Sequence, residues 1–529
     1  MNKSLDYPKF KYENLKVASE QLEKDYFLTT FDLKSGYHHI SIHEDDRTFL
    51  GFSWTFENGK TKFYRFLVLP FGLASACYAF TKLMKPLGKK WRKAGFRSTI
   101  YLDDGISCAE SFANGKFQIC VIQNDLRNAG FTINFKKSKL TPSQKGHWLG
   151  FEIDTTKMTF SVPEVKVTKL LSSLKEISEL KIVNANKLAH IAGRIISMSL
   201  AIGPLARLFT RQMYFLINSR KNWYEPMTLT KLAKDEILFW IENLKHYNGF
   251  QIKSNQVTTK VIYSDASNLA YGGYLVERLG KTIARGNFTD VEKRTSSTHR
   301  ELLAVKLVLK SFGKNLMHES IQWYSDNVNV SRIIQVGSRK PDLHCLALDI
   351  FNLCIQFNVH IQPSWIPREE NEFADMISKC VHTDSWTIDW ETFSFIESKF
   401  GKFTVDRFSD DLNKKCVRFN SRFFCPGTES VNCFTCDWSN DFNWLCPPIS
   451  LIGATIKHMR LCRAKGVLLV PNWPSSYFWP LLSSDGETFN DFIKSYLLLD
   501  PYFINYAGCK SVFDGHAKFF TLALLLYFE

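Results

Sequence analysis

The chain has 529 residues, 45% of them hydrophobic and 22% charged, so it can bury real cores and is not disordered in bulk. At roughly 100–200 residues per domain, this length predicts several domains. Sixty-seven Lys and Arg against 52 Asp and Glu leave a net charge of +15, a surplus that favours a polyanionic partner such as nucleic acid.

Thirteen cysteines are too sparse for a disulfide scaffold, and Met1-Asn2-Lys3-Ser4-Leu5-Asp6-Tyr7 has no apolar core of signal-peptide length. The thiols therefore read as reduced and the chain as intracellular, in cytoplasm or nucleus. The longest apolar run near an end, 519–528, is shorter than the ~18–20 residues of a membrane span. It reads as a buried terminal helix, so no membrane partner is expected.

In chain order, residues 1–155 are dense in short strand-like runs. Glu57-Asn58-Gly59-Lys60 puts Asn-Gly between two aromatic, alternating segments, the mark of a tight hairpin. Residues 156–255 turn helical: Leu170, Leu171, Leu174 and Ile177 recur at helical spacing, as do Ile191, Ile195, Ile196 and Leu200. Residues 256–382 alternate again, with strands at 260–264, 321–325 and 359–365 and an amphipathic helix at 298–312. That pattern predicts a layered α/β or α+β unit. Residues 383–529 are rich in Trp, Cys and Pro and show no strong period.

Two carboxylate sites stand in the first stretch. Phe27-Leu28-Thr29-Thr30-Phe31-Asp32-Leu33 is a strand ending in an acid, and Tyr101-Leu102-Asp103-Asp104-Gly105 is a strand running into an acidic turn. Acids at the ends of neighbouring strands repel unless a divalent cation neutralises them, and an all-oxygen donor set suits Mg²⁺. Two such ions about 3.5–4 Å apart serve in-line phosphoryl transfer. The alternative is an ordinary polar hairpin turn, for which Asp-Gly is common.

These residues resemble the reverse transcriptases. Tyr101-Leu102-Asp103-Asp104 matches the family's Tyr-x-Asp-Asp box, Phe31-Asp32-Leu33-Lys34-Ser35-Gly36-Tyr37 its first palm motif, and Leu69-Pro70-Phe71-Gly72-Leu73-Ala74-Ser75-Ala76 the segment between them. Gly130-Phe131 through Lys136-Lys137-Ser138-Lys139, and His147-Trp148-Leu149-Gly150-Phe151, follow in family order. The resemblance implies that Asp32 and Asp103 hold the metals and that Asp104 supports them. It implies that Tyr37 excludes a ribose 2′-hydroxyl, that Phe71 and Gly72 sit against the incoming dNTP, and that Lys137 serves the leaving pyrophosphate. Taken singly, Tyr37 and Phe71 also read as core aromatics and Lys137 as a solvated cation.

A second acidic set follows: Asp265 in Tyr263-Ser264-Asp265-Ala266-Ser267, Glu301 in Glu301-Leu302-Leu303-Ala304-Val305, Asp326 after Trp323-Tyr324-Ser325, and Asp375 in Asn371-Glu372-Phe373-Ala374-Asp375. Each alone reads as a capping or surface acid. In this order they resemble a ribonuclease H domain, which implies two Mg²⁺ ions (Mn²⁺ as a substitute) held by the four carboxylates. Many relatives carry a His ten residues before the last Asp; this chain has Trp365 there.

The order palm, helical connection, ribonuclease H resembles retroelement polyproteins. Arg47-Thr48-Phe49-Leu50-Gly51-Phe52, Ala189-His190-Ile191-Ala192-Gly193-Arg194-Ile195 and Trp365-Ile366-Pro367-Arg368-Glu369 resemble the DIRS-like, tyrosine-recombinase retrotransposons. Only 31 residues precede Asp32, so the resemblance implies truncated fingers and a metal site lacking part of its triphosphate clamp. The implied partners are RNA template, DNA primer, RNA–DNA hybrid and dNTPs. If the clamp is lost, the alternatives are a hybrid-binding protein or a ribonuclease H alone.

In the last stretch Cys425, Cys433, Cys436 and Cys446 include one Cys-x₂-Cys pair, and the choice lies between a zinc site and buried free thiols. Val405-Asp406-Arg407-Phe408 with Asn413, Asp437-Trp438, Cys446-Pro447-Pro448 and Leu468-Leu469-Val470-Pro471 resemble adenine-N6 DNA methyltransferase segments. That family needs Asp or Asn where Cys446 stands, so the resemblance implies a degenerate domain. The expected architecture is thus α+β and multidomain: a reverse transcriptase palm with partial fingers at 1–155, a helical thumb or connection at 156–255, a ribonuclease H-like α/β domain at 256–382, and a C-terminal α/β domain at 383–529.

Overall fold

In the computed structural model, residues 2, 5, 10–252, 257–380, 386–486, 488–504, 511–516 and 518–528 are described. They fall into two units, Met1–Asn255 and Gln256–Glu529.

In the first unit, β1 (Phe27–Asp32) buries Leu28 and Phe31. The predicted Asn-Gly hairpin forms between β2 (Gly51–Thr55) and β3 (Thr61–Arg65), with Gly59 at φ +77°. That left-handed turn suits glycine. The palm continues with α1 (Ala76–Lys93), β4 (Arg97–Tyr101), β5 (Asp104–Ala109), α2 (Phe112–Asn128) and β6 (Lys139–Ser143). Its sheet runs β4-β5-β1-β6, and both helices pack one face through a core that includes Phe31, Phe80, Trp91 and Ile122. A second small sheet holds β7 (Lys145–Trp148), β8 (Phe151–Asp154), β9 (Thr159–Ser161) and the short strand Phe250–Gln251.

The helical stretch contains α3 (Glu164–Ser178), α4 (Ala185–Ser197), α5 (Arg211–Asn218) and α6 (Lys231–Tyr247). Leu170, Leu174, Ile177, Ile191, Ile195 and Trp240 make its core, each worth about 1.5–3 kcal/mol on full burial. Leu200 departs from the predicted stripe: α4 ends at Ser197 and Leu200 is exposed on the next short turn. Inside this bundle Glu236 is buried, where it accepts the Gln212 and Met213 backbone N–H groups of α5 at 2.9 and 3.0 Å.

The second unit begins with β10 (Lys260–Ala266), β11 (Ala270–Glu277), β12 (Gly280–Asn287), α7 (Ser297–Phe312), β13 (Ser320–Ser325), α8 (Val328–Val336), α9 (Pro341–Phe357), β14 (His360–Trp365) and α10 (Glu372–Lys379). The sheet order is β12-β11-β10-β13-β14, antiparallel across the first three strands and parallel thereafter. Gly272 and Gly273 let helices close on it: a Cβ at Gly272 would lie 2.6 Å from the Ser378 nitrogen, and one at Gly273 2.8 Å from a Val308 methyl.

A seven-stranded sheet follows. It is built from β15 (Val405–Asp406), β16 (Arg418–Ser421), β17 (Ser430–Val431), β18 (Phe442–Leu445), β19 (Lys465–Pro471), β20 (Ile493–Leu499) and β21 (Thr521–Tyr527). The order is β17-β16-β15-β18-β19-β21-β20, with β21 antiparallel to both neighbours. The predicted terminal helix is therefore a strand. An apolar run this short carries no period that separates the two states, and pairing on both sides with β19 and β20 decides for the strand. Among the described residues no helix is long and apolar enough to cross a membrane.

Candidate functional site

The palm brings the two predicted acids to one end of its sheet. Asp32 ends β1 opposite Asp104 in the β1–β5 register, and Asp103 occupies the β4–β5 turn, its carbonyl accepting from Leu33 N at 2.9 Å. Leu102 turns the chain there at φ +53°. Gly36 leaves room for Asp103, since a Cβ would stand 3.0 Å from the Asp103 Cβ. Burial first, then the Asp32 charge, pushes the Asp103 carboxyl up. Asp104 is pushed up to about 6 by burial, by Asp103 and by Asp32, while Lys137 pulls both back.

Tyr37 stands beside this turn with its ring 5.1 Å from Phe71 and 5.4 Å from Phe80, and its hydroxyl 2.9 Å from Cys77 Sγ. Burial and the Cys77 contact hold its hydroxyl well above the ordinary range. Phe71 is 71% exposed, so it is not a core aromatic. Gly72, at φ +88°, has nothing within 4 Å of where a Cβ would be, and Lys137 is exposed. Ser138, which no motif marks as functional, supports this end of β1: its hydroxyl accepts from Asp32 N at 3.0 Å.

The second acidic set is tighter. Asp265 on β10, Glu301 in the first turns of α7 and Asp326 just after β13 each offer an oxygen within 4.8 Å of the others. Among the described residues no other His, Cys, Asp or Glu grouping meets that spacing, the palm acids included. Glu301 Oε2 is buried without a hydrogen-bond partner. Burial, with Asp265 and Asp326 nearby, pushes its carboxyl up to about 9. An orphaned oxygen in an all-carboxylate pocket fits a hard divalent cation.

Asp375 stands outside the trio. Arg368 and Lys379 hold its oxygens at 3.0 and 2.7 Å and lower its carboxyl. Its helix instead delivers Ser378, whose hydroxyl donates to Asp265 Oδ2 at 2.6 Å. Nothing in the motif pointed to Ser378; its position one turn after Asp375 is the only signal. Trp365 ends β14 and its indole donates to the Asp326 carbonyl at 2.9 Å. The zinc alternative has no support among the described residues: Cys425, Cys433, Cys436 and Cys446 are free and do not cluster.

Residues 1–153 match the family described as reverse transcriptase (RNA-dependent DNA polymerase), and residues 377–493 the family described as DNA N-6-adenine-methyltransferase (Dam). A polyprotein of Cassava vein mosaic virus is 24% identical over 398 residues, covering 73% of this chain and 57% of its own length. A genome polyprotein of Petunia vein clearing virus is 26% identical over 72% of this chain and 16% of its own length. The retrovirus-related Pol polyprotein of the Drosophila melanogaster transposon opus is 26% identical over 53% of this chain and 27% of its own length. The chain thus spans between 16% and 57% of these relatives. A solved foamy viral protease–reverse transcriptase in complex with dsDNA overlays at TM-score 0.42 and 17% identity, over 69% of this chain and 72% of that one. Residues 1–153 are a reverse transcriptase domain of the kind found in retroelement and viral Pol polyproteins.

Proposed function

We propose that the chain is a retrotransposon-derived, DIRS-like RNA-directed DNA polymerase with ribonuclease H activity, acting on RNA template, DNA primer and dNTPs. The observation that carries this reading is the register pairing of Asp32 with Asp104 beside the turn that bears Asp103. Crowded carboxylates are unfavourable unless a cation neutralises them. Asp32 and Asp103 would hold Mg²⁺, two ions per site with Mn²⁺ as a substitute, and Asp104 would support them. Asp265, Glu301, Asp326 and Asp375 would hold the ribonuclease H pair.

Bound cations of this kind supply charge neutralisation and an activated oxygen for in-line phosphoryl transfer. The remaining work falls to side chains. Tyr37 braced by Phe80 would wall off a 2′-hydroxyl, Phe71 and Gly72 would lie along the nucleotide, and Lys137 would offset charge on the departing pyrophosphate. In the second site Ser378 would aim Asp265, and Arg368 and Lys379 would keep Asp375 ionised.

Residues 1–155 would be the reverse transcriptase palm, 156–255 the thumb or connection, 256–382 the ribonuclease H-like domain and 383–529 a degenerate methyltransferase-like domain. The Dam match supports the last assignment. A second reading, hybrid binding or hybrid cleavage without polymerisation, is favoured by β2 and β3. They form a two-stranded sheet exposed along its whole length, and such a pair is marginal on its own.

The test is primer extension on an RNA template and cleavage of RNA–DNA hybrid, with Asp103→Asn and Asp265→Asn. Extension lost only in Asp103→Asn and cleavage lost only in Asp265→Asn supports the proposal. Cleavage or hybrid retention without extension supports the second reading.

A further inference from the structure

The second unit contains a cavity of about 640 Å³ at the C-terminal ends of β15 and β18, lined there by Arg407, Ser409, Asn413, Cys446 and Pro448. That is room for a nucleoside-sized ligand. Methylating an adenine amine requires more: the exocyclic nitrogen presents two N–H donors and must be held by acceptors beside the cavity. In Leu445-Cys446-Pro447-Pro448 the residue before the prolines is a thiol, a weak acceptor.

Trp386 occupies the place next to it. Its indole Nε1–H donates to the Pro447 carbonyl at 2.8 Å, and the Cys446 thiol donates to the Trp386 carbonyl at 3.4 Å. One residue thus engages both the side chain and the carbonyl that the Cys446-Pro447 step could offer an incoming amine. The ring is only 3% exposed. It stacks on Phe513 at 4.7 Å and 23°, and meets Phe503 edge-on at 5.5 Å. These contacts seat it in the core that also contains Cys446, together with Phe503 and Phe513.

We propose that Trp386 is a built-in occupant of the amine seat, which closes this domain to adenine-N6 methyl transfer while leaving the neighbouring cavity open. The proposal rests on the methyltransferase-like reading of residues 383–529. The residues present do not fit transfer from S-adenosylmethionine to a nucleic-acid amine, because the seat lacks a free acceptor pair and is filled by an indole.

The test uses the full chain with N-ethylmaleimide, following each cysteine by peptide mass spectrometry, and in parallel tritiated S-adenosylmethionine with adenine-containing duplex DNA. Cys345 and Cys120 are exposed and should label about 100-fold faster than Cys446. Trp386→Ala should raise Cys446 labelling about 10-fold relative to Cys433, which is buried in a different core. Trp386→Phe, which keeps most of the ring, should leave Cys446 slow, and wild type should transfer no tritium.

Fast Cys446 labelling in wild type with Cys433 protected would overturn the plug alone. Fast labelling of both would overturn the methyltransferase-like fold with it. An unchanged Cys446-to-Cys433 ratio in Trp386→Ala, or fast Cys446 labelling in Trp386→Phe with Cys433 protected, contradicts the plug. Tritium in DNA with wild type would overturn the plug while upholding the fold reading.

Discussion

Ser378 and Asp265 are joined by a 2.6 Å hydrogen bond across 113 residues of sequence, from the last turn of α10 to the acid at the end of β10. The hydroxyl can serve only an ionised or accepting oxygen, and it lowers the Asp265 carboxyl against the burial that raises it. On the proposed reading, this hydrogen bond favours the ionised Asp265 that a cation would need.

Ser378→Ala should therefore weaken divalent-cation affinity at the second site by about 10-fold, in the range seen for supporting contacts to metal ligands. Hybrid cleavage at limiting Mg²⁺ should fall in step and recover at high Mg²⁺. Cation titrations of wild type and variant check this, and equal affinities would remove Ser378 from the site.

Glu301 sets a pH dependence. Burial, with Asp265 and Asp326 nearby, pushes its carboxyl up to about 9 from an ordinary value of 4.5. Between those values the native state holds a proton that the unfolded state has lost, so the Glu301 contribution to metal-free stability is fullest below 4.5 and falls as pH rises towards 9. Glu301→Gln should remove this penalty. Its melting temperature should exceed wild type at pH 8 by about 2 °C or more, with the gap closing near pH 5. Cation binding at pH 8 should release a proton in wild type and not in the variant.

Tyr37 tests the palm. Its ring rests on Phe80 and Phe71 and its hydroxyl meets Cys77. Tyr37→Ala should raise ribonucleotide incorporation relative to deoxyribonucleotide by about 10-fold, the scale of a lost steric contact. Tyr37→Phe keeps the wall and should cost at most about 1 kcal/mol of stability through the lost hydrogen bond. Single-nucleotide extension with paired rNTP and dNTP reads the ratio.

Glu236 tests the helical bundle. It is 3% exposed and caps α5 by accepting from Gln212 and Met213. Glu236→Ala leaves buried donors unsatisfied and should cost about 2–4 kcal/mol, while Glu236→Gln retains one acceptor and should cost less. Urea titration of both variants measures the difference.

The acids of both sites were legible because their setting was: Asp103 sits in a four-residue box, and Asp32 is followed five positions later by Tyr37. Register between distant strands is not written in either segment, so the pairing of Asp32 with Asp104 came only with the fold. Ser378 and Ser138 were not legible, since a serine near an acid is common and only tertiary contact gives it a partner. The exclusion of Asp375 from the trio follows from Arg368 and Lys379, whose reach depends on where the 3₁₀ turn Arg368–Glu370 and α10 put them. The terminal run misled because burial on both faces of a strand and burial around a short helix look alike in sequence.

The most direct test of the whole account is local cleavage by Fe²⁺ in place of Mg²⁺. With ascorbate and peroxide, iron seated in a metal site cuts the nearby backbone. Fragments should end near residues 32 and 103–104, and near 265, 301 and 326, with Asp103→Asn erasing the first set and Asp265→Asn the second. Mg²⁺ should compete both away. Cuts confined to other segments, or none that Mg²⁺ suppresses, would contradict the convergence of these carboxylates on divalent cations.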